Sequence, residues 1–532
     1  MSSPEITRAI YACLPCRYAR RIFHPQPVQN GSQRSPPHRT LKRKCTRELP
    51  ACLLCIRLSK VCDYTATNTQ HEDTQARVVT PRPESRQEGQ NVASLPQFPA
   101  SFFLDSESHQ QLAESQAMPI PVPMCHRDFL APVEDYVAMT NKYFFSIQTW
   151  MPFISEKRLA RRLQERGPEA DLGLALRLTC MRLVVSSPTD WEAAVSSPFY
   201  HKAKELLSVA ENACLTCLDL VQGAILISVY EMGHGLYPSA FLTTSHAARL
   251  GMVLGLHDRK NAPQLFQPPD TWTLREEERR TWWAVLILDR SISLGISGVP
   301  LATPEPMNGD LLPCLELPWN QGQLGTNEPL FVESLSGNSP IGSYANTCQA
   351  AHITGRVLSH RNRVKLDADH RSLLMEAQQL HQMLTSLSRH LLQQHLDNRL
   401  DPSSDRLVAV ALCGSARLIL ANMYACNEHY PPLDNPRLPE ETAMQQASIQ
   451  SIEEMINHGC EVARTVLNYA VVSLDTVAPT LCHFLYQTAS ECAWVLREFD
   501  SEENKGRLDT IVRALITLSQ RWKVAGTYSI RD

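Results

Sequence analysis

The sequence predicts a chain of two unlike parts, a small metal-binding head and a large all-α body, joined by a disordered linker. Three observations predict it. Six of the 17 cysteines fall between Cys13 and Cys62. A polar stretch punctuated by Pro81, Pro83, Pro96, Pro99, Pro119, Pro121 and Pro123 follows them, so no long helix fits there. From about residue 130 the text turns to long amphipathic runs with short breaks, and no alternating β-branched pattern interrupts them. The resulting boundaries are 1–64 for the head, 65–129 for the linker and 130–532 for the body.

At 532 residues the chain exceeds one ordinary domain, and 43% hydrophobic residues give ample material for a core. Residues 1–12 are mixed and show no apolar leader pattern. Apolar runs such as 224–229 and 282–288 fall far short of the roughly 20 residues that a membrane helix needs. The expectation is a soluble intracellular protein with no membrane partner. In that reducing setting clustered cysteines hold metal rather than form disulfides. The net charge of −4 is unevenly spread. Residues 1–64 carry twelve Lys/Arg against three acids, a net of +9, which leaves −13 for the remainder. A basic head on an acidic body points to a polyanion as the partner of the head.

The head reads Cys13-Leu-Pro-Cys16, Cys45, Cys52-Leu-Leu-Cys55 and Cys62. Zinc takes about four tetrahedral ligands, and CxxC spacing lets one turn of backbone present two thiolates. Six thiolates hold two zinc ions if two of them bridge. These residues resemble the fungal binuclear zinc-cluster (Zn2Cys6) DNA-binding domain, whose pattern is Cys-x2-Cys-x6-Cys, a loop, Cys-x2-Cys and a last Cys about six residues on. Cys45-x6-Cys52-x2-Cys55-x6-Cys62 fits it, and Pro50 stands where the family's loop proline falls. The resemblance implies two short helices around two zinc ions, all six cysteines as ligands, and Cys13 and Cys52 as the bridging thiolates.

One stretch departs from the pattern. Between Cys16 and Cys45 lie 28 residues where the family has six. In the family this gap opens the DNA-reading helix and carries a basic run, but here Pro25, Pro27, Gly31, Pro36 and Pro37 forbid a helix. Removing residues 18–39 joins Cys16-Arg17 to Thr40-Leu41-Lys42-Arg43-Lys44-Cys45, which restores both the spacing and the basic run. Arg17-Tyr18-Ala19 can be encoded with GTATG, a common fungal intron start, and His38-Arg39 with a closing YAG. Residues 18–39 therefore read as a retained intron, or else as an insertion looped out of the cluster.

Lysine and arginine at a helix start can reach guanine O6/N7 in the major groove. By resemblance Lys42 contacts a CGG-type triplet of double-stranded DNA, while Arg17, Arg43 and Lys44 are placed for phosphates, which give affinity without sequence information. Alone, Lys42-Arg43-Lys44 would read as a solvated charge run or a nuclear-import signal. One module buries limited surface, so a second half-site or partner protein is expected. No a/d stripe occurs between residues 63 and 90, which leaves dimerisation through that segment without support.

In the body, periodicity predicts helices over 133–146, 172–185, 202–211, 214–232, 239–254 and 276–294. A Gly/Pro-rich loop over 297–345 is followed by helices over 372–396, 406–424, 448–474 and 478–499. Gly233-His-Gly235 and Pro238 are the expected break after 214–232, and Gly255 is the expected stop of 239–254. Tyr230-Glu-Met-Gly-His-Gly, Glu276-Glu-Glu-Arg-Arg-Thr-Trp-Trp-Ala-Val-Leu-Ile-Leu-Asp-Arg290 and Pro300-Leu-Ala-Thr-Pro304 resemble the fungal-specific transcription factor (middle homology) domain, in wording similar to regulators of secondary-metabolite gene clusters. Cys214-Leu-Thr-Cys217 reads as core cysteine within a helix, and His234, His246 and His257 as core or cap residues. Glu276, Glu277 and Glu278 read as an acidic helix start complementing the dipole. The Leu373/Leu380/Leu387 stripe reads as packing within the body. No enzymatic constellation appears. The resemblances together imply a nuclear zinc-cluster transcription factor, usually an activator by RNA polymerase II, that meets transcription machinery or co-regulators. The runner-up is a regulatory protein that no longer binds DNA because the insertion breaks its cluster.

Overall fold

The computed structural model describes residues 120–529, apart from 131–132, 166, 260–268, 270, 308, 331–340, 365–369, 398–404, 427–438 and 470–472. The chain divides into units 1–92 and 93–532, and every described residue lies in the second. That unit is all-α, and its described residues include no strand, only an isolated antiparallel bridge between Leu311 and Pro329.

The first helices are α1 (Val133–Phe145), α2 (Ile147–Trp150), α3 (Glu156–Glu165), α4 (Leu172–Val184), α5 (Trp191–Val195) and α6 (Pro198–Asn212). Next come α7 (Leu218–Gly233), α8 (Ser239–Val253), α9 (Trp272–Ser293) and α10 (Glu316–Asn320). After them stand α11 (Ser343–Val364), α12 (His370–Asp397), α13 (Asp405–Tyr424) and α14 (Pro439–Tyr469). The last are α15 (Thr480–Glu498), α16 (Glu502–Ser519) and α17 (Val524–Ser529).

Helix α7 is buried from Asp219 to Gly233 and packs between α4, α8 and α9, as its near-continuous apolar text requires. It stops where the glycine signal placed the stop. Gly235 takes φ +71°, Leu236 N–H donates to Glu231 O (2.8 Å) and Gly235 N–H to Met232 O (3.3 Å). This is a Schellman closure, which ties up the orphan carbonyls of the last turn. Helix α8 ends identically: Gly255 has φ +71°, with Leu256 N–H on Gly251 O (2.9 Å) and Gly255 N–H on Met252 O (3.0 Å).

Four expectations need correction. Helix α9 begins at Trp272 because Thr271 caps it, its Oγ1 accepting Leu274 N–H at 3.2 Å. Glu276 and Glu277 therefore sit in the second turn and are wholly buried, not at a solvated helix start. Cys214 and Cys217 precede α7 rather than lie within it, and Cys214 is exposed in a left-handed turn (φ 54°). Helix α11 was not foreseen, since it buries Asn346, Thr347, His352, Thr354 and His360 along with its apolar residues and so lacks a clean stripe. The segment read as linker ends in ordered chain: Val122 N–H donates to Glu169 O (2.9 Å) and Leu172 N–H to Ile120 O (2.7 Å).

The C-terminal helices centre on α13, which packs on α11, α12, α14 and α15. Its window 406–424 is long and apolar enough to cross a membrane, yet 83% of it is buried inside this fold. The stripe on α12 faces inward, with Leu373, Ala377, Leu380, Leu384 and Leu391 buried, so it packs within the body. Helices α16 and α17 close the bundle. Between them Trp522 is fully buried, donates Nε1–H to Val477 O (2.7 Å) and lies so close over Gly233 that a Cβ there would meet its ring at 2.2 Å. Neighbouring Arg521 donates to Val184 O (2.7 Å) and Ser186 O (3.1 Å) at the end of α4.

Candidate functional site

The predicted zinc ligands Cys13, Cys16, Cys45, Cys52, Cys55 and Cys62, and the predicted DNA contacts Arg17, Lys42, Arg43 and Lys44, lie outside the described residues. What the described body offers is a charged network inside its core. Glu277 on α9 has no exposed surface, and it accepts hydrogen bonds from Ser155 N–H (3.2 Å), Gln222 Nε2 (3.1 Å) and Arg158 Nη1. Arg177 on α4 stands 4.0 Å from it and 2.9 Å from Asp219 at the start of α7. Asp219 in turn accepts from Arg162 Nη1 (2.8 Å), whose Nη2 reaches Asp171 (2.6 Å). Burial works to raise the carboxyl of Asp219, but Arg177 and Arg162 outweigh it and hold it below the ordinary value.

Glu276 faces the opposite way. It accepts from Arg280 Nε (3.0 Å), Arg279, Cys314 N–H (2.9 Å) and Asn327 Nδ2 (2.9 Å). Burial would raise its carboxyl, and Arg280 and Arg279 reverse the direction. Arg280 is fully buried, donates to Pro152 O (3.0 Å) and Cys314 O (2.7 Å), and stacks on Trp319 at 4.1 Å. Tyr344 of α11 donates its hydroxyl to Arg280 O at 2.9 Å, and Trp283 donates Nε1–H to Leu311 O at 3.1 Å. The Arg-Arg-Thr-Trp-Trp block is thus the point where α9 grips the 310–330 loop and the next helix.

A second network fixes the Pro300–Pro304 text. Asp289 accepts from Thr303 N–H (2.9 Å), Thr303 Oγ1 (2.7 Å) and Arg290 Nη1 (2.7 Å). Arg290 and His352 both reach Glu305, at 3.3 and 2.7 Å. The histidines singled out from sequence are isolated from one another. His234 lies between the rings of Tyr230 (4.4 Å) and Trp522 (5.6 Å), and burial pushes its pKa down to about 3. His246 pairs with Glu211 at 3.0 Å, and His257 packs against Trp282.

Among the described residues no group of three or more His, Cys, Asp or Glu side chains is placed to hold a metal ion. The buried carboxylates of both networks are engaged by guanidinium groups or backbone N–H, an arrangement that fixes shape, while the buried Glu231 accepts from Lys204 Nζ (3.0 Å) and Tyr200 Oη (2.7 Å). The sequence reading missed these ion pairs, although Arg177 and Asp219 inside apolar helical text were a visible signal. A cleft of about 700 Å3 opens beside Trp282, Trp283 and Arg279, lined also by Asp258, Arg259 and Pro269.

Fold and site define an all-helical scaffold whose charged core joins its elements. The Fungal specific transcription factor domain matches residues 140–334, which enclose nearly all of both networks. The chain is 37% identical over 180 residues to Transcription factor BOA15 of Botryotinia fuckeliana, a match covering 34% of this chain and 98% of that relative. The azaphilone cluster-specific transcription factor azaR of Aspergillus niger is 27% identical over 296 residues, 52% of this chain and 62% of the relative. The pigment biosynthesis transcriptional activator pigB of Monascus ruber is 26% identical over 258 residues, 46% of each chain. No solved structure matches. The chain belongs to the family of fungal transcription factors that carry this domain, a class of regulators and not of enzymes. It spans under two thirds of the length of azaR and pigB.

Proposed function

We propose that this chain is a nuclear, sequence-specific DNA-binding regulator, an activator of RNA polymerase II transcription, with its helical body as the regulatory part. The observation that carries this reading is the Cys45-x6-Cys52-x2-Cys55-x6-Cys62 spacing with Lys42-Arg43-Lys44 directly before it, in a chain of this family. Cys13, Cys16, Cys45, Cys52, Cys55 and Cys62 would hold two zinc ions, and Lys42 would read a CGG-type half-site. The names of azaR and pigB support a pathway-specific role in a secondary-metabolite gene cluster. Transcription machinery or co-regulators are the protein partners of this reading.

The 28-residue gap after Cys16 favours a second reading, a regulator that does not bind DNA. Loop closure grows costly only slowly, each doubling adding roughly 0.6 kcal/mol, so zinc binding survives a long loop. The reading helix does not, since Arg17 is then parted from Lys42. Purified full chain and a variant lacking 18–39 are to be compared by zinc content and gel shift across a salt series. The deletion variant is expected to carry two zinc ions and to shift CGG-containing duplex much more strongly. Equal affinity of the two forms would refute the account of the insertion. Absence of a salt-dependent shift in both would leave the second reading standing.

A further inference from the structure

A cavity of about 320 Å3 lies where the family-matched region meets the C-terminal helices. Ile292, Leu294 and Ile296 at the end of α9 form an apolar wall, and Thr480 and His483 of α15 with Val524 of α17 face it. Its size and mixed lining are those of small-molecule sites, which are mostly apolar with a few convergent polar groups. Two polar side chains of the lining each have a buried atom that no group among the described residues satisfies. Thr480 is 4% exposed and its Oγ1 has no hydrogen-bond partner among the described residues, and the buried Nδ1 of His483 has none there either. A buried polar group without a partner costs about 1–3 kcal/mol, which a ligand atom or a water would relieve.

The charge of the site is also set. Burial, helped by Arg361, pushes His483 down to about 4, so its ring is neutral at pH 7. Arg361 spends its Nη donors on the carbonyls of Leu294 (2.6 Å), Ser293 (3.0 Å) and Ile296, the C-terminal end of α9. It caps a helix with three of its four terminal N–H, and it is not among the residues that line the cavity. A carboxylate in this cavity would lose its water without gaining a counter-charge.

We propose that this cavity binds a small, uncharged, mostly apolar molecule whose carbonyl or hydroxyl pairs with Thr480 and His483. The ligand bridges α9 of the family-matched region to α15 and α17, and so stabilises the joined form of the body.

The purified full chain, without DNA, is titrated with acetophenone and benzyl alcohol, and with benzoate as the charged counterpart. Melting temperature and ligand-observed NMR are the readouts. The neutral probes are expected to raise Tm with concentration while benzoate does not. Gly295→Met grows into the space, since a Cβ at this position meets nothing nearer than His483 Nε2 at 3.8 Å. It is expected to weaken the neutral probes about tenfold, with the helical spectrum unchanged. Thr480→Val, which keeps the shape and loses the hydroxyl, is expected to weaken benzyl alcohol about fivefold and toluene not at all. No binding of either neutral probe, the cavity then holding water only, overturns the proposal. So does equal binding of benzoate, or unchanged affinity in a folded Gly295→Met. Should Gly295→Met not fold, Thr480→Val decides alone. The readout is independent of zinc and DNA, so its failure is separable from failure of the DNA-binding reading.

Discussion

The two halves of the helical body bury charge differently. The family-matched half holds pairs with both members inside, Glu276 with Arg280, Glu277 with Arg177 and Asp219 with Arg177, beside half-wet ones such as Lys204 with Glu231 and Arg290 with Glu305. In the C-terminal half the buried member meets a partner that keeps its water. Arg417 pairs with Glu454, whose side chain is 40% exposed, and Arg521 with Asp475, at 31%. Removing one member of a fully buried pair strands a charge in a poor solvent, whereas removing the inner member of a half-wet pair returns its partner to water. The first half is specified by interlocking polar contacts that fail together. The second is expected to lose less when the inner member of one such pair is removed.

Parallel substitutions break or sharpen this contrast. Glu277→Met keeps the volume but leaves Ser155 N–H and Gln222 without their acceptor and Arg158 and Arg177 short of a counter-charge. It is expected to cost about 3–5 kcal/mol, read from urea denaturation of the chain. His234 comes second. Its folded pKa of about 3 lies below the ordinary 6.5, so between these values the unfolded chain takes a proton that the native chain refuses. Stability therefore falls as pH drops through this window, by about 2 kcal/mol at pH 5, and His234→Leu should flatten that slope. A variant that keeps the full slope between pH 7 and 5 would exclude His234 as its source. The smallest effect is expected for Arg417→Met, below about 1 kcal/mol, because Glu454 rehydrates. Equal losses for Arg417→Met and Glu277→Met would sink the comparison.

The legible parts of the fold were those whose cause is local. The Gly233-His-Gly235 break and Gly255 announced two helix ends because a Schellman closure needs a left-handed residue, a place that Gly235 and Gly255 take without strain while Gly233 stays helical. Helix α16 was also legible in principle, with Ser501 accepting Asn504 N–H as its cap and Ile511, Ala514, Leu515 and Leu518 as a buried stripe, but it went unread. The start of α9 was misplaced because three consecutive glutamates imitate a dipole-facing first turn, while the real cap is one threonine upstream. Helix α11 escaped because its inner face owes its burial to partners distant in sequence, such as Glu376 and Tyr424 around His360 (2.7 and 2.8 Å). The ion network itself reaches across the sequence, joining Arg162 to Asp219 over 57 positions and Ser155 to Glu277 over 122, and no periodicity scan records that. With the cysteine head the situation is reversed, for its cysteine spacing is legible in the sequence and its residues lie outside the described ones.

The seat of Trp522 on Gly233 has a consequence for how this family's domain is to be handled as a physical object. The match ends at residue 334, yet the surface of α7 at Gly233 is completed by a side chain almost two hundred residues further on. Val184 and Ser186, at the end of α4, likewise find their donor in Arg521. A fragment cut at the boundary of the match would carry an open seam down its central helix. The unit that folds and the unit that similarity delimits are different lengths of chain.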